Sequence, residues 1–148
     1  TMLARAFPTA PILPVVGNHD TRPYFDAGGR GADDTRARLS ALCARWLGAR
    51  AAERLRSSGY YDVALRLPAP DAERTARLLA LDTNAFSTAA TADAGTPQLR
   101  WLERALARAE ASGESVLILG HIAPGASHVD YDSMGASGWD GGGWRAAP

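Results

Sequence analysis

Pro11-Ile12-Leu13-Pro14-Val15-Val16-Gly17-Asn18-His19-Asp20 is the stretch from which the rest of this 148-residue chain is best read. Apolar and β-branched residues run from Ile12 to Val16, a pattern that predicts a buried strand. Gly17 then allows the backbone to turn where a side chain would crowd it. Asn18, His19 and Asp20 follow at the carboxyl end of the expected strand, the end at which open α/β sheets collect their ligands. A carbonyl oxygen, an imidazole and a carboxylate form a mixed set suited to a divalent metal and a phosphate ester.

A second stretch has the same build. Val116-Leu117-Ile118-Leu119 is a short apolar strand by the same criteria, and it ends at Gly120-His121, followed by Ile122-Ala123-Pro124-Gly125. Between the two lie the elements of one α/β domain. Thr21 to Asp34 is rich in Gly, Pro and Asp and reads as a loop. From Thr35 to about Arg56, Leu39, Leu42, Cys43, Trp46 and Leu47 recur at helical spacing, with Asp33 or Asp34 as the expected cap. Tyr61, Val63, Leu65 and Leu67 alternate with more polar residues, as in a half-buried strand. Pro68 to Asp71 is a turn, and Arg77 to Asp82 is the expected hairpin partner. Asp82-Thr83-Asn84 closes that strand with turn-forming residues. Thr96-Pro97 opens a second helix with Thr96 as cap, Leu99, Leu102, Leu106 and Ala109 as its apolar stripe, and Gly113 as its stop. Ser127 to Pro148, with His128, Trp139 and Trp144 among many glycines, reads as a loop or a lid.

Composition narrows the classes. The formal net charge is zero, so no bulk field draws nucleic acid or an anionic membrane. Every basic residue is arginine, and those of the first helix are read as solvated surface. Cys43 is the lone cysteine and is expected to be a buried small hydrophobe. No apolar run reaches the ~20 residues of a membrane span.

Gly17-Asn18-His19-Asp20 after an apolar strand resembles a signature block of the calcineurin-like metallophosphoesterases. Gly120-His121-Ile122-Ala123-Pro124-Gly125 is similar to a His-Ile-Pro-Pro-Gly block of their acid-sphingomyelinase-like phosphodiesterase branch, with Ala123 where proline is usual. Phe7-Pro8 and Leu81-Asp82-Thr83-Asn84 also look like that branch. The resemblance implies a layered β-sandwich flanked by helices and two divalent metal ions, zinc foremost, with manganese or iron as alternatives. It implies a lipid or small-molecule phosphodiester as substrate and a parent protein that acts as a hydrolase. By resemblance, Asn18 and His121 ligate one metal and His19 protonates the leaving group. Asp20 orients the turn, and Asn84 lies near the substrate. Further Asp and His blocks belong to the pattern: Asp-x-His, Gly-Asp-x-x-Asp and Gly-His-x-His. None of them occurs in these 148 residues. The chain is therefore expected to be a partial domain holding half of a metal site, inactive alone. A non-catalytic module that retains the scaffold and a purple-acid-type phosphatase are the alternatives. The resemblance also fixes a geometric expectation. Asn18 and His121 should approach to ~3–6 Å, carried by two neighbouring, parallel strands.

Overall fold

A computed structural model describes residues 2–24, 26–67, 74–86 and 93–122. The readings made above for the 68–71 turn, the Ala123–Gly125 block and the tail with His128 lie outside those residues. The elements are α1 (Met2–Ala6), α2 (Arg30–Ser58), β1 (Tyr61–Leu67), β2 (Arg74–Ala80), a 3-10 helix at Thr83–Phe86, α3 (Thr96–Ser112) and β3 (Ser115–Leu119).

The three strands form one mixed sheet in the order β1-β2-β3. The expected hairpin is present: β1 and β2 are antiparallel, with Tyr61 opposite Ala80. β2 and β3 are parallel, with Ala80 opposite Leu119, and the 3-10 helix and α3 make the crossover that parallel pairing requires. Successive residues of β2 serve different cores. Leu78 and Ala80 pack with Val16, Cys43, Leu47, Leu55 and Tyr61. Leu79 packs with Leu81, Trp101 and Ala105. The strand's period of two thus gives one face to α2 and the other to α3. The α/β class read from the sequence holds.

Ile12–Val16 is a correction. It forms no strand and joins no ladder. Pro11 and Pro14 lack the N–H groups that a strand donates, which accounts for the missing pairing. The segment is held from the side instead. Val16 is fully buried, Ile12, Leu13 and Val15 pack against the α2 core, and the Tyr61 hydroxyl donates to the Pro14 carbonyl at 2.8 Å.

The helices differ from the pattern in ways their side chains explain. α2 begins at Arg30, and neither Asp33 nor Asp34 caps it. Asp26 does so from the preceding loop, accepting from the backbone N–H of Gly28 and Gly29 through one oxygen and of Ala32 through the other. Burial raises the Asp26 pKa, but these N–H groups and Arg36 outweigh it and hold the carboxyl below its ordinary value. α2 breaks at Gly48, whose φ is +72°. Leu42 is exposed, while Cys43 and Leu47 are buried, so the core stripe is narrower than the spacing suggested. Burial pushes the Cys43 thiol up, away from nucleophilic use. In α3 the buried residues are Gln98, Trp101, Ala105 and Ala109, with Leu99 and Leu106 more than a third exposed. Gly95, not Thr96, precedes its first turn.

Gln98 sets that rotation. Its amide bonds the Asp82 backbone at both ends, Oε1 accepting from the N–H at 2.8 Å and Nε2 donating to the carbonyl at 3.0 Å. The Asp82 carboxylate meets Arg36 of α2 at 3.2 Å, with both side chains almost fully buried. Arg36 also donates to the Ala27 carbonyl. Burial pushes the Asp82 carboxyl up to about 6, although Arg36 pulls it the other way. The folded state therefore holds the Asp82 proton more tightly than the unfolded chain does. The stability linked to that proton is complete below about pH 4 and is lost as pH rises through about 6. At about 1.4 kcal/mol per pH unit, the loss is about 3 kcal/mol. Chemical denaturation of wild type and Asp82→Asn should show the wild-type advantage shrinking by about that amount from pH 4 to pH 7. A difference independent of pH would mean that Asp82 titrates normally.

Candidate metal and phosphoester site

Two turns meet at the end of the sheet. The first is Gly17–Asp20, closed by Asp20, whose backbone N–H donates to the Gly17 carbonyl at 3.1 Å and whose Oδ2 accepts from the Gly17 N–H at 2.8 Å. Asp20 thus closes the turn through both its backbone and its side chain. The Asp20 carbonyl also accepts from the Thr35 hydroxyl at 2.7 Å, tying the turn to the first part of α2.

The second turn follows β3. Gly120 and His121 leave the strand, and the Ile122 N–H donates to Thr83 Oγ1 at 2.8 Å. Thr83 is fully buried in the 3-10 helix directly after Asp82. The anchoring of Asp82 is therefore passed to the His121 turn through Thr83. Sequence reading missed Thr83, although it is the central residue of the Leu81–Asn84 block.

The turns bring Asn18 and His121 together. His121 Nε2 lies 2.9 Å from Asn18 Oδ1, across 103 positions of sequence. Asn18 is buried, and His121 is exposed. The approach falls at the short end of the expected range, though a strand supplies only one of the two residues. Gly17 leaves room for it: a Cβ there would sit 3.3 Å from both Cε1 and Nε2 of the His121 ring and 3.1 Å from Asp20 Oδ2, so those side chains would have to give by a few tenths of an ångström. Gly120 is more tightly held, since a Cβ would meet Thr83 Cγ2 at 2.7 Å.

Among the described residues, the other expected site residues make no hydrogen bond to this pair. His19 is exposed, with its ring centroid 4.6 Å from that of Tyr24. Asn84 is fully buried. Its N–H donates to Asp82 Oδ1 at 3.3 Å, and its side-chain amide makes no hydrogen bond.

Asn18 Oδ1 and His121 Nε2 suit one cation between them. Two ligands at ~2.0–2.2 Å from a common ion stand about 3 Å apart, close to the separation here. Both donor types serve zinc, manganese and iron. Among the described residues, no three His, Cys, Asp or Glu side chains gather as a metal-holding group.

The chain is similar to acid-sphingomyelinase-like phosphodiesterases. It is 31% identical over 130 residues to acid sphingomyelinase-like phosphodiesterase 3b of Homo sapiens, a match covering 84% of this chain and 27% of that protein. It is 32% identical over 125 residues to sphingomyelinase phosphodiesterase C of Dictyostelium discoideum, covering 80% and 26%. It is 33% identical over 128 residues to sphingomyelin phosphodiesterase of Bos taurus, covering 78% and 19%. The chain thus spans about a quarter or less of the length of these curated relatives. No protein-family model matches it.

The Gly120 contact provides a check on how the site is held. Gly120→Ala should lower stability by about 1–3 kcal/mol, the usual cost of overpacking. Gly28→Ala, at a position open on all sides, should change it little. Thermal melts of the two variants measure this. Equal, small shifts would show that Thr83 yields and does not brace the turn.

Proposed function

We propose that the chain is part of a dinuclear-metal phosphodiesterase and carries one side of its metal site. The observation that supports this most is the 2.9 Å approach of Asn18 Oδ1 to His121 Nε2, between residues that nothing local brings together. The names of the similar proteins support a phosphodiester substrate of the sphingomyelin type. In this reading Asn18 and His121 hold one of two divalent ions, zinc foremost, and the remaining ligands come from outside these residues.

Bound metal would supply charge for the phosphoryl oxygens and ionise a water. The chain's own residues have narrower tasks. Asn18 is itself buried and presents its oxygen from a turn that Asp20 closes through two hydrogen bonds. His121 must be neutral, with Nε2 free of its proton, before it can face a cation. His19, exposed one residue beyond Asn18, is the candidate for donating a proton to the departing alkoxide. Asp20 holds the turn that carries both. Thr83, one residue before Asn84, supports the His121 turn through the Ile122 N–H.

Three measurements test the reading. The 148-residue chain alone should show no metal-dependent hydrolysis of bis(p-nitrophenyl) phosphate above a metal-only blank; turnover abolished by a chelator would contradict it. In a longer chain with the whole catalytic domain, zinc should shift the ring C–H signals of His121, and Asn18→Ala should weaken binding at least tenfold, about 1.4 kcal/mol. A His121 signal that stays put as zinc saturates the protein would remove the ligand assignment. In the same longer chain, His19→Ala should slow an alkyl phosphodiester about 10²–10⁴-fold and a nitrophenyl ester far less, because a good leaving group needs no proton. Equal losses would make His19 a ligand or a structural residue.

A further inference from the structure

Four arginines line a cleft that shares no residue with the Asn18–His121 site. Arg50 and Arg54 come from α2, Arg104 and Arg108 from α3, and Ala51, Asp62 and Trp101 complete the lining of a space of ≈ 250 Å³; Arg50, Arg104 and Arg108 are exposed and Arg54 is half-buried. Asp62 belongs to β1, the outer strand of the sheet, so the cleft lies where the two helices come together around that edge.

The charge in this cleft is not balanced from within. Each helix carries its two arginines at i, i+4 spacing, which puts like charges on one face and costs stability. Arginine does not give up its proton. Against these four cations the lining offers one acid, Asp62, and that acid is committed elsewhere. Arg77 of β2 bonds it at 2.7 Å and turns its other nitrogens to Glu114 at 2.6 and 2.8 Å. Arg50, its side chain 83% exposed, shares that same Asp62 at 3.6 Å, so one carboxylate serves two guanidinium groups. Arg54 faces rings, its guanidinium carbon 5.0 Å from the Tyr60 centroid and 5.6 Å from that of Trp101. Its Nε is buried and makes no hydrogen bond. A buried donor left in that state costs free energy that an acceptor would recover.

We propose that this cleft binds a phosphate-class anion carrying at least two negative charges. Guanidinium forks match phosphate oxygens in pairs, and several acting together favour a polyanion over a single carboxylate. The volume lies below the 300–1,000 Å³ of sites for drug-sized ligands, so it admits one or two phosphoryl groups. The anion is either free, of pyrophosphate size, or the phosphorylated headgroup of a lipid whose tails stay outside.

Isothermal titration of the 148-residue chain with inorganic pyrophosphate at low ionic strength tests this. Saturable binding is expected, weakened at least tenfold in Arg54→Gln/Arg108→Gln and left within twofold by Arg38→Gln, an exposed position on α2. Circular dichroism establishes that the double variant is folded; Arg104→Gln carries the same test if it is not. A second arm measures co-sedimentation with phosphatidylcholine vesicles containing one-fifth phosphatidate. Binding to these vesicles alone, absent with pure phosphatidylcholine and lost in the double variant, assigns the phosphate to a lipid headgroup. Failure of both probes to bind, or binding that survives in the arginine variants, overturns the proposal.

Discussion

A carboxylate can be buried in this protein only because Arg36 meets it. Asp82 sits at the end of β2 with its side chain almost fully out of water. An unpaired charge at such depth would be expelled or neutralised. The pairing ties α2 to the end of β2, and Gln98 ties α3 to the same point through the Asp82 backbone. Three elements from different parts of the sequence are thereby fixed around one residue. The 3-10 helix begins immediately afterwards, and its first residue, Thr83, receives the N–H of Ile122. The position of His121 is in this sense inherited from a salt bridge two turns of chain away.

The parts of this arrangement that were legible in the sequence are those set by local chemistry. Alternation in Tyr61–Leu67 announced a strand, and apolar content with flanking glycines announced both long helices and β3. Asn18 and His121 were legible as partners only through motif resemblance, since spacing says nothing about contact over such a separation. What stayed hidden depended on tertiary structure. The Ile12–Val16 run has strand composition, yet prolines at 11 and 14 remove donors and leave it as packing material. The rotation of α3 follows from where Gln98 finds the Asp82 backbone, and hydropathy pointed to its leucines instead. Arg36 looked like one more surface arginine until the fold placed a carboxylate opposite it.

Net neutrality conceals a strong internal polarisation. Sixteen basic and sixteen acidic residues cancel in total, but not in place. Arg56 is matched by Glu53 on the same helix face, and Arg77 is saturated by Asp62 and Glu114. Arg50, Arg54, Arg104 and Arg108 line one cleft, whose single acid, Asp62, is shared between Arg77 and Arg50. Composition therefore excluded a bulk field while leaving room for a local one.

β3 lies at the other margin of the sheet, and none of its residues is buried. Leu117, Ile118 and Leu119 are 47%, 52% and 38% exposed. Proteins that leave a strand at a sheet margin ordinarily guard it with lysine, proline or a bulge. Ser115–Leu119 has no proline or charge, and the chain has no lysine at all. Among the described residues β3 pairs on one side only, and its β-propensity is high, the composition from which cross-β stacking starts. For a polypeptide of this length handled at high concentration, the weak point is therefore self-association: β3 is where one copy would add to the next, and concentration sets the rate.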